Sequence, residues 1–134
     1  SYTKPLLLLF IVGLVSQNGF LEVVKSHIKW ERKVVVIVDG YSTGRYLAPA
    51  FSSRGYTCIH VQSHKFVPDI LLKTFQANHY LFNIVSSNLE EILQKLKDYD
   101  VKCVVVGSES GVKLANKLSY RLGLPHNDMR LQSQ

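Results

Sequence analysis

Between Lys33 and Val106 four short runs of apolar, largely β-branched residues recur, and a helical pattern follows each of them. The runs are KVVVIV at 33–38, TCIHV at 57–61, YLFNIV at 80–85 and VKCVVV at 101–106. A run that is apolar on both of its sides suits a strand of a parallel sheet covered by helices on each face. After the first run a helix is expected from about Gly44 to Arg54, with Gly55 ending it. Gln62 to Pro68 reads as a loop, and Asp69 as the cap of a short helix through Gln76. Asn88 caps a helix whose apolar face is Leu89, Ile92, Leu93 and Leu96, with Glu91 and Lys95 paired on its wet side. A last helix, from Ser110 to Leu122, packs through Val112, Leu114, Ala115 and Leu118 until Gly123 and Pro125 stop it.

This alternation predicts an α/β fold, a Rossmann-like doubly wound parallel sheet of order 3-2-1-4 counted from Lys33. Such an order puts a switch point between the first and fourth strands, and open α/β sheets bind ligands at the carboxyl ends beside that point. Two glycine-containing loops lie there, Asp39-Gly40-Tyr41-Ser42-Thr43-Gly44 and Gly107-Ser108-Glu109-Ser110-Gly111.

The first loop allows two readings. Gly40 and Gly44 permit a sharp turn, Ser42 and Thr43 supply hydroxyls, and a helix start at Gly44 offers N–H groups, so the loop is either an anion cradle or a tight capped turn. It is neither a Walker motif nor G-x-G-x-x-G, and Val61-Gln62-Ser63-His64 has no acidic residue to hold a ribose, which argues against dinucleotide binding. In the second loop Glu109 either caps the following helix or has a functional role, holding a cationic substrate group or orienting a partner-domain residue, with Ser108 and Ser110 beside it. His60 and His64 lie on a strand and its exit, where a sheet or loop role is favoured over metal binding. Ser110 has no His and Asp partners in the sequence that would mark a hydrolytic triad.

At 134 residues the chain is of one-domain length, and its 46% apolar and 19% charged composition is that of a globular protein. The formal charge of +6 is spread without a basic arm or dense run, so nucleic acid is not an expected partner. Cys58 and Cys103 each sit in a strand run and read as small core residues, without a disulfide framework or a metal site. A reducing, cytoplasmic setting fits that usage. The apolar run Leu6 to Val15 is shorter than the roughly 20 residues that span a bilayer, so no membrane partner is expected. Lys4 before it is compatible with a signal-peptide core, but no A-x-A site follows. The favoured reading is a segment covered by the fold or by a homodimer contact, followed by an amphipathic helix from Phe20 to Trp30.

The segments VVIVDGYSTGRYLAPAFSSRGY at 35–56, HVQS at 60–63 and VVVGSESGVKLANKLSYRLGLPHN at 104–127 together resemble the N-terminal, pre-ATP-grasp domain of ATP-grasp carboxylate–amine ligases. That family includes amino-acid ligases, carnosine-synthase-like enzymes and biotin carboxylase relatives. The most specific stretches are Gly107 to Val112 and Leu122 to Asn127. The resemblance implies a ligase that activates a carboxylate with ATP and Mg²⁺ as an acyl phosphate and passes it to an amine. It makes this domain one wall of the cleft, with Asp39, Gly40, Ser42, Thr43, Gly44, Ser108, Glu109 and Ser110 as substrate- or anion-binding residues. In that family the groups that hold ATP and Mg²⁺ belong to later lobes. The expectation is therefore a fragment of a longer enzyme or a stand-alone remnant: an extension at 1–31, the domain at 32–127, and at 128–134 the start of a linker to a C-terminal ATP-grasp domain. No cofactor and no ligation are expected of this chain alone. Two other readings stay open: a flavodoxin-like module, with Ser42-Thr43-Gly44 as its phosphate loop and Tyr41 or Tyr46 as its aromatic, and a non-catalytic interaction module.

Overall fold

The computed structural model describes residues 32–125. The apolar run at Leu6 to Val15, the helix expected from Phe20 to Trp30, Asn127 and the linker at 128–134 lie outside the described residues.

Four strands, β1 (Lys33–Val38), β2 (Thr57–Gln62), β3 (Asn83–Val85) and β4 (Asp100–Val106), form one sheet in the order β3-β2-β1-β4. Every pairing is parallel. β1 is central because its side chains are apolar in both directions. Val34, Val36 and Val38 enter the larger core with Ile59, Val61 and Ile84, and Val35 and Ile37 enter the smaller core with Cys58. The larger core is closed by Ile92 and Leu96 of α3 (Leu89–Leu96) and by Leu114, Ala115 and Leu118 of α4 (Val112–Arg121). The smaller core is closed by Ala48 of α1 (Leu47–Ser52), together with Phe51 and Tyr80. Among the described residues no helix is long and apolar enough to cross a membrane.

The α/β class, the parallel sheet and the strand order agree with the expectation, while several boundaries differ. The expected helix from Gly44 divides into a 3₁₀ turn at Ser42–Tyr46 and α1. Pro49 is the reason: it has no N–H to donate, so it is tolerated in the first turn of a helix starting at Leu47 and not inside one starting at Gly44. α2 (Asp69–Leu72) is shorter than expected, and Asp69 does not cap it. Pro68 holds the cap position, and its carbonyl takes the N–H groups of Leu71 and Leu72. The third strand begins at Asn83 instead of Tyr80, because Tyr80 closes a 3₁₀ turn at Ala77–His79 through its bond to the Ala77 carbonyl. The last helix likewise opens with a 3₁₀ turn, Glu109–Gly111. The Asn88 cap forms as expected, its side chain accepting from the Glu91 N–H at 3.0 Å, and Glu91 and Lys95 pair at 3.8 Å.

β1 carries Cys58 and Cys103 on its two flanks, each in register with Val35. Two strand spacings separate them, about 9–10 Å, whereas a disulfide needs Cα atoms within about 7 Å. Both are free thiols, and burial raises the pKa of each.

Candidate functional site

The two glycine loops meet at the carboxyl ends of β1 and β4, backbone against backbone. A Cβ on Gly44 would lie 2.3 Å from the Gly107 carbonyl oxygen, and one on Gly107 would lie 2.5 Å from the Gly40 Cα. Only residues without side chains allow that approach. It brings together two segments more than sixty positions apart in the sequence.

Within the first loop most of the N–H groups find partners in the protein. Gly40 donates its N–H to His60 Nε2 at 2.8 Å, Tyr41 to the Asp39 carbonyl at 2.9 Å, Ser42 to Thr74 Oγ1 at 2.8 Å, and Gly44 to the Tyr41 carbonyl at 2.8 Å. These four N–H groups are bonded within the protein, so the loop is held as a tight turn. Ser42 and Thr43 are exposed, and their hydroxyls have no partner among the described residues. Gly40 and Gly44 are buried by the loop-to-loop packing. Among the described residues no three His, Cys, Asp or Glu side chains are placed to hold a metal ion.

Asp39 is 1% exposed and adopts a left-handed conformation, φ 55°. Its carboxylate accepts from the Ser63 N–H at 2.9 Å, the Ser63 hydroxyl at 2.5 Å and the Ser110 hydroxyl at 2.7 Å. Asp39, Ser63 and Ser110 follow β1, β2 and β4, so one buried carboxylate ties three strand exits together. Ser63 gives its only hydroxyl proton to Asp39, so it accepts the contact with His64 Nδ1 at 2.8 Å. His64 therefore donates from Nδ1 in this contact. Ser108 donates to the Tyr41 carbonyl at 3.3 Å, a second tie between the loops.

Glu109 is exposed in the first turn after β4, and its side chain makes no cap bond. Of its two expected roles the capping one is therefore absent. Asp39, Gly40, Gly44, Ser108 and Ser110 come together in the packed loops, whereas Ser42, Thr43 and Glu109 stand out from them.

Two polar groups matter more than their sequence positions suggested. His60 is fully buried at the end of β2. Its Nε2 accepts from Gly40, so Nδ1 donates to Asn83 Oδ1 at 2.7 Å, and Asn83 passes its own amide hydrogen to Gln62 at 3.1 Å. Burial lowers the His60 pKa below its ordinary value, against a smaller opposing effect of the Asn83 bond and of Asp39. The ring stands among Tyr41, Phe75 and Tyr80, with centroids 4.6–5.5 Å away. The Tyr41 and Tyr80 hydroxyls are buried without a partner among the described residues. Burial raises both phenols, Tyr80 to about 12. The available signal was a histidine between Ile59 and Val61 in a strand, since a buried polar ring needs partners.

The second group lines a cleft of about 460 Å³ on the larger-core side of the strand ends. Ser63, His64 and Ser110 form one flank, Ser87 lies at the start of α3, and Leu89 and Leu114 supply apolar surface. Lys113 and Lys117, one turn apart on α4, complete the lining. Among the described residues no acidic side chain lines it. Its volume is that of a small-molecule site.

No family model matches this chain, and no solved structure matches it. Among curated proteins it is similar to dapdiamide A synthase of Enterobacter agglomerans, with 38% identity over 96 residues. The similarity covers 69% of this chain and 22% of that protein, so the chain corresponds to about a fifth of the relative's length.

Proposed function

We propose that the chain is the N-terminal, substrate-side domain of a ligase that joins a carboxylate to an amine at the expense of ATP, through an acyl phosphate. The observation that carries this reading is the 38% identity to a synthase of which the chain matches only 22%. A relative so much longer is consistent with a further domain, and the reading assigns ATP and Mg²⁺ to it. Residues 32–127 are then the domain, 1–31 an extension, and 128–134 the start of the linker. The cleft at the strand ends supports the reading, because an open α/β sheet presents its ligand groups there. Two free cysteines held apart on the flanks of β1 suit a cytoplasmic setting.

In this reading the domain contributes positioning. Asp39 fixes Ser63 and Ser110, and through Ser63 the ring of His64. Glu109 is left exposed at the same end of the sheet, able to receive an ammonium group.

The test is ADP release by the longer protein that carries this chain, with Mg·ATP, succinate as the carboxylate, and the standard amino acids supplied singly. Expected is ADP release that requires both a carboxylate and an amine. Release indifferent to both, or a purified protein with flavin absorption, overturns the reading.

A further inference from the structure

The cleft beside α4 brings acceptor oxygens and unpaired cations together. The Ser63 and Ser110 hydroxyl protons are spent on Asp39, so both face the cleft as acceptors. Lys113 and Lys117 add donors and positive charge, and the Ser87 hydroxyl can donate or accept. Lys113 and Lys117 have no ion-pair partner among the described residues, in contrast to Lys95 and Lys102, which pair with Glu91 and Asp100. Ser87 is exposed, and its hydroxyl has no partner there either. The nearest buried negative charge, Asp39, is already met by three donors. Two like charges one helical turn apart repel each other and gain from a shared counter-ion. Leu89 and Leu114 give an apolar surface to the body of a ligand.

The geometry points to a binding site for a small organic anion, with its acidic oxygens held by Lys113, Lys117 and Ser87 and its carbon stem lying over Leu89 and Leu114. The choice of a carboxylate over a phosphate rests on the ligase reading; the anionic class does not.

The experiment uses the ¹⁵N-labelled 134-residue chain at low salt, titrated separately with succinate, inorganic phosphate and neutral succinamide. Expected are saturable shifts of the Ser63, Ser87, Lys113 and Lys117 amides with an anion, weakening as NaCl is added, and none with succinamide. The double variant Lys113→Gln/Lys117→Gln changes only exposed positions. It is expected to keep the parent's melting temperature and to bind about 10- to 100-fold more weakly, the scale of lost charge-assisted bonds. Tighter succinate than phosphate binding assigns the site to a carboxylate; the reverse order assigns it to a phosphate group. Shifts outside the cleft only, an equal response to succinamide, or unchanged affinity in the double variant overturns the proposal. The titration needs neither nucleotide nor turnover. Anion binding in a longer protein without ligase activity would therefore sink the ligase reading and leave the site. Activity indifferent to the double substitution, without anion shifts, would do the opposite.

Discussion

The Asp39 carboxylate fastens three strand exits at a single buried point, and its energetics follow from what each bond costs to lose. Hydrogen bonds to a charged group are worth about 1.5–3 kcal/mol each, and a buried N–H left unpaired adds a penalty of similar size. Asp39→Ala strips Ser63 and Ser110 of their acceptor and places a Cβ-only residue at φ 55°. A loss of about 3 kcal/mol or more is expected, read from the urea midpoint. Asp39→Asn tolerates the same backbone and retains one accepting oxygen, so its loss should be smaller. Both variants lying within about 0.5 kcal/mol of the parent would mean that the three bonds add nothing net. His60 gives the same region a pH dependence. Its neutral form accepts from Gly40, and a proton on Nε2 would set two N–H groups against each other. Because its folded pKa is lowered, the unfolded chain takes up the proton first. The contribution is complete above the unfolded value of about 6.5 and is lost as pH falls through it toward the lowered folded value. Urea unfolding at about pH 7.5 and 5.5 should show a larger drop for the parent than for His60→Gln. An equal drop in both would assign the acid sensitivity to other groups.

At the scale of elements, what could be read in advance was what depends on side-chain pattern. KVVVIV is apolar in both directions, which is enough to make it the middle of a parallel sheet, and the α3 cap and ion pair follow from local spacing. Boundaries were less legible because they depend on backbone bonding that a pattern of apolar residues does not express. Tyr80 to Phe82 read as strand, yet Tyr80 is taken by the turn before it. The site was least legible, since its contacts join β1, β2 and β4 exits far apart in the sequence, and nothing in HVQS at 60–63 announces that Ser63 will bond Asp39. The loop junction offers a test with an inverted sign. Gly→Ala at a position with ordinary backbone and space stabilises by about 0.4–1 kcal/mol. At Gly44 the new methyl would meet the Gly107 carbonyl at 2.3 Å, so the loops must part. Gly44→Ala is expected to destabilise by about 1–3 kcal/mol, the usual cost of overpacking. Asn88→Ala, by comparison, removes only an exposed cap bond, at about 1 kcal/mol. A stabilised Gly44→Ala in thermal melts would show that the loops do not pack as described.

For the molecule as a whole, the question is which part of an ATP-dependent ligation these residues could carry. Nucleotide recognition needs free N–H groups or cations arranged around phosphates, and a metal needs converging carboxylates. The first loop has spent the N–H groups of Gly40, Tyr41, Ser42 and Gly44, and the described residues bring no three metal-binding side chains together. The pair Lys113 and Lys117, with Ser87, suffices for one small acidic group, but offers no array of N–H groups to follow a polyphosphate. Weak, salt-sensitive attraction is what such a pair supports. The 134-residue chain is therefore expected to bind Mg·ATP no more tightly than about 1 mM, a binding free energy near −4 kcal/mol. Calorimetric titration in 150 mM salt, about the physiological ionic strength, should show heats close to those of dilution. A dissociation constant of about 1 μM would require roughly twice that free energy. Such a value would overturn the assignment of nucleotide binding to residues beyond this chain.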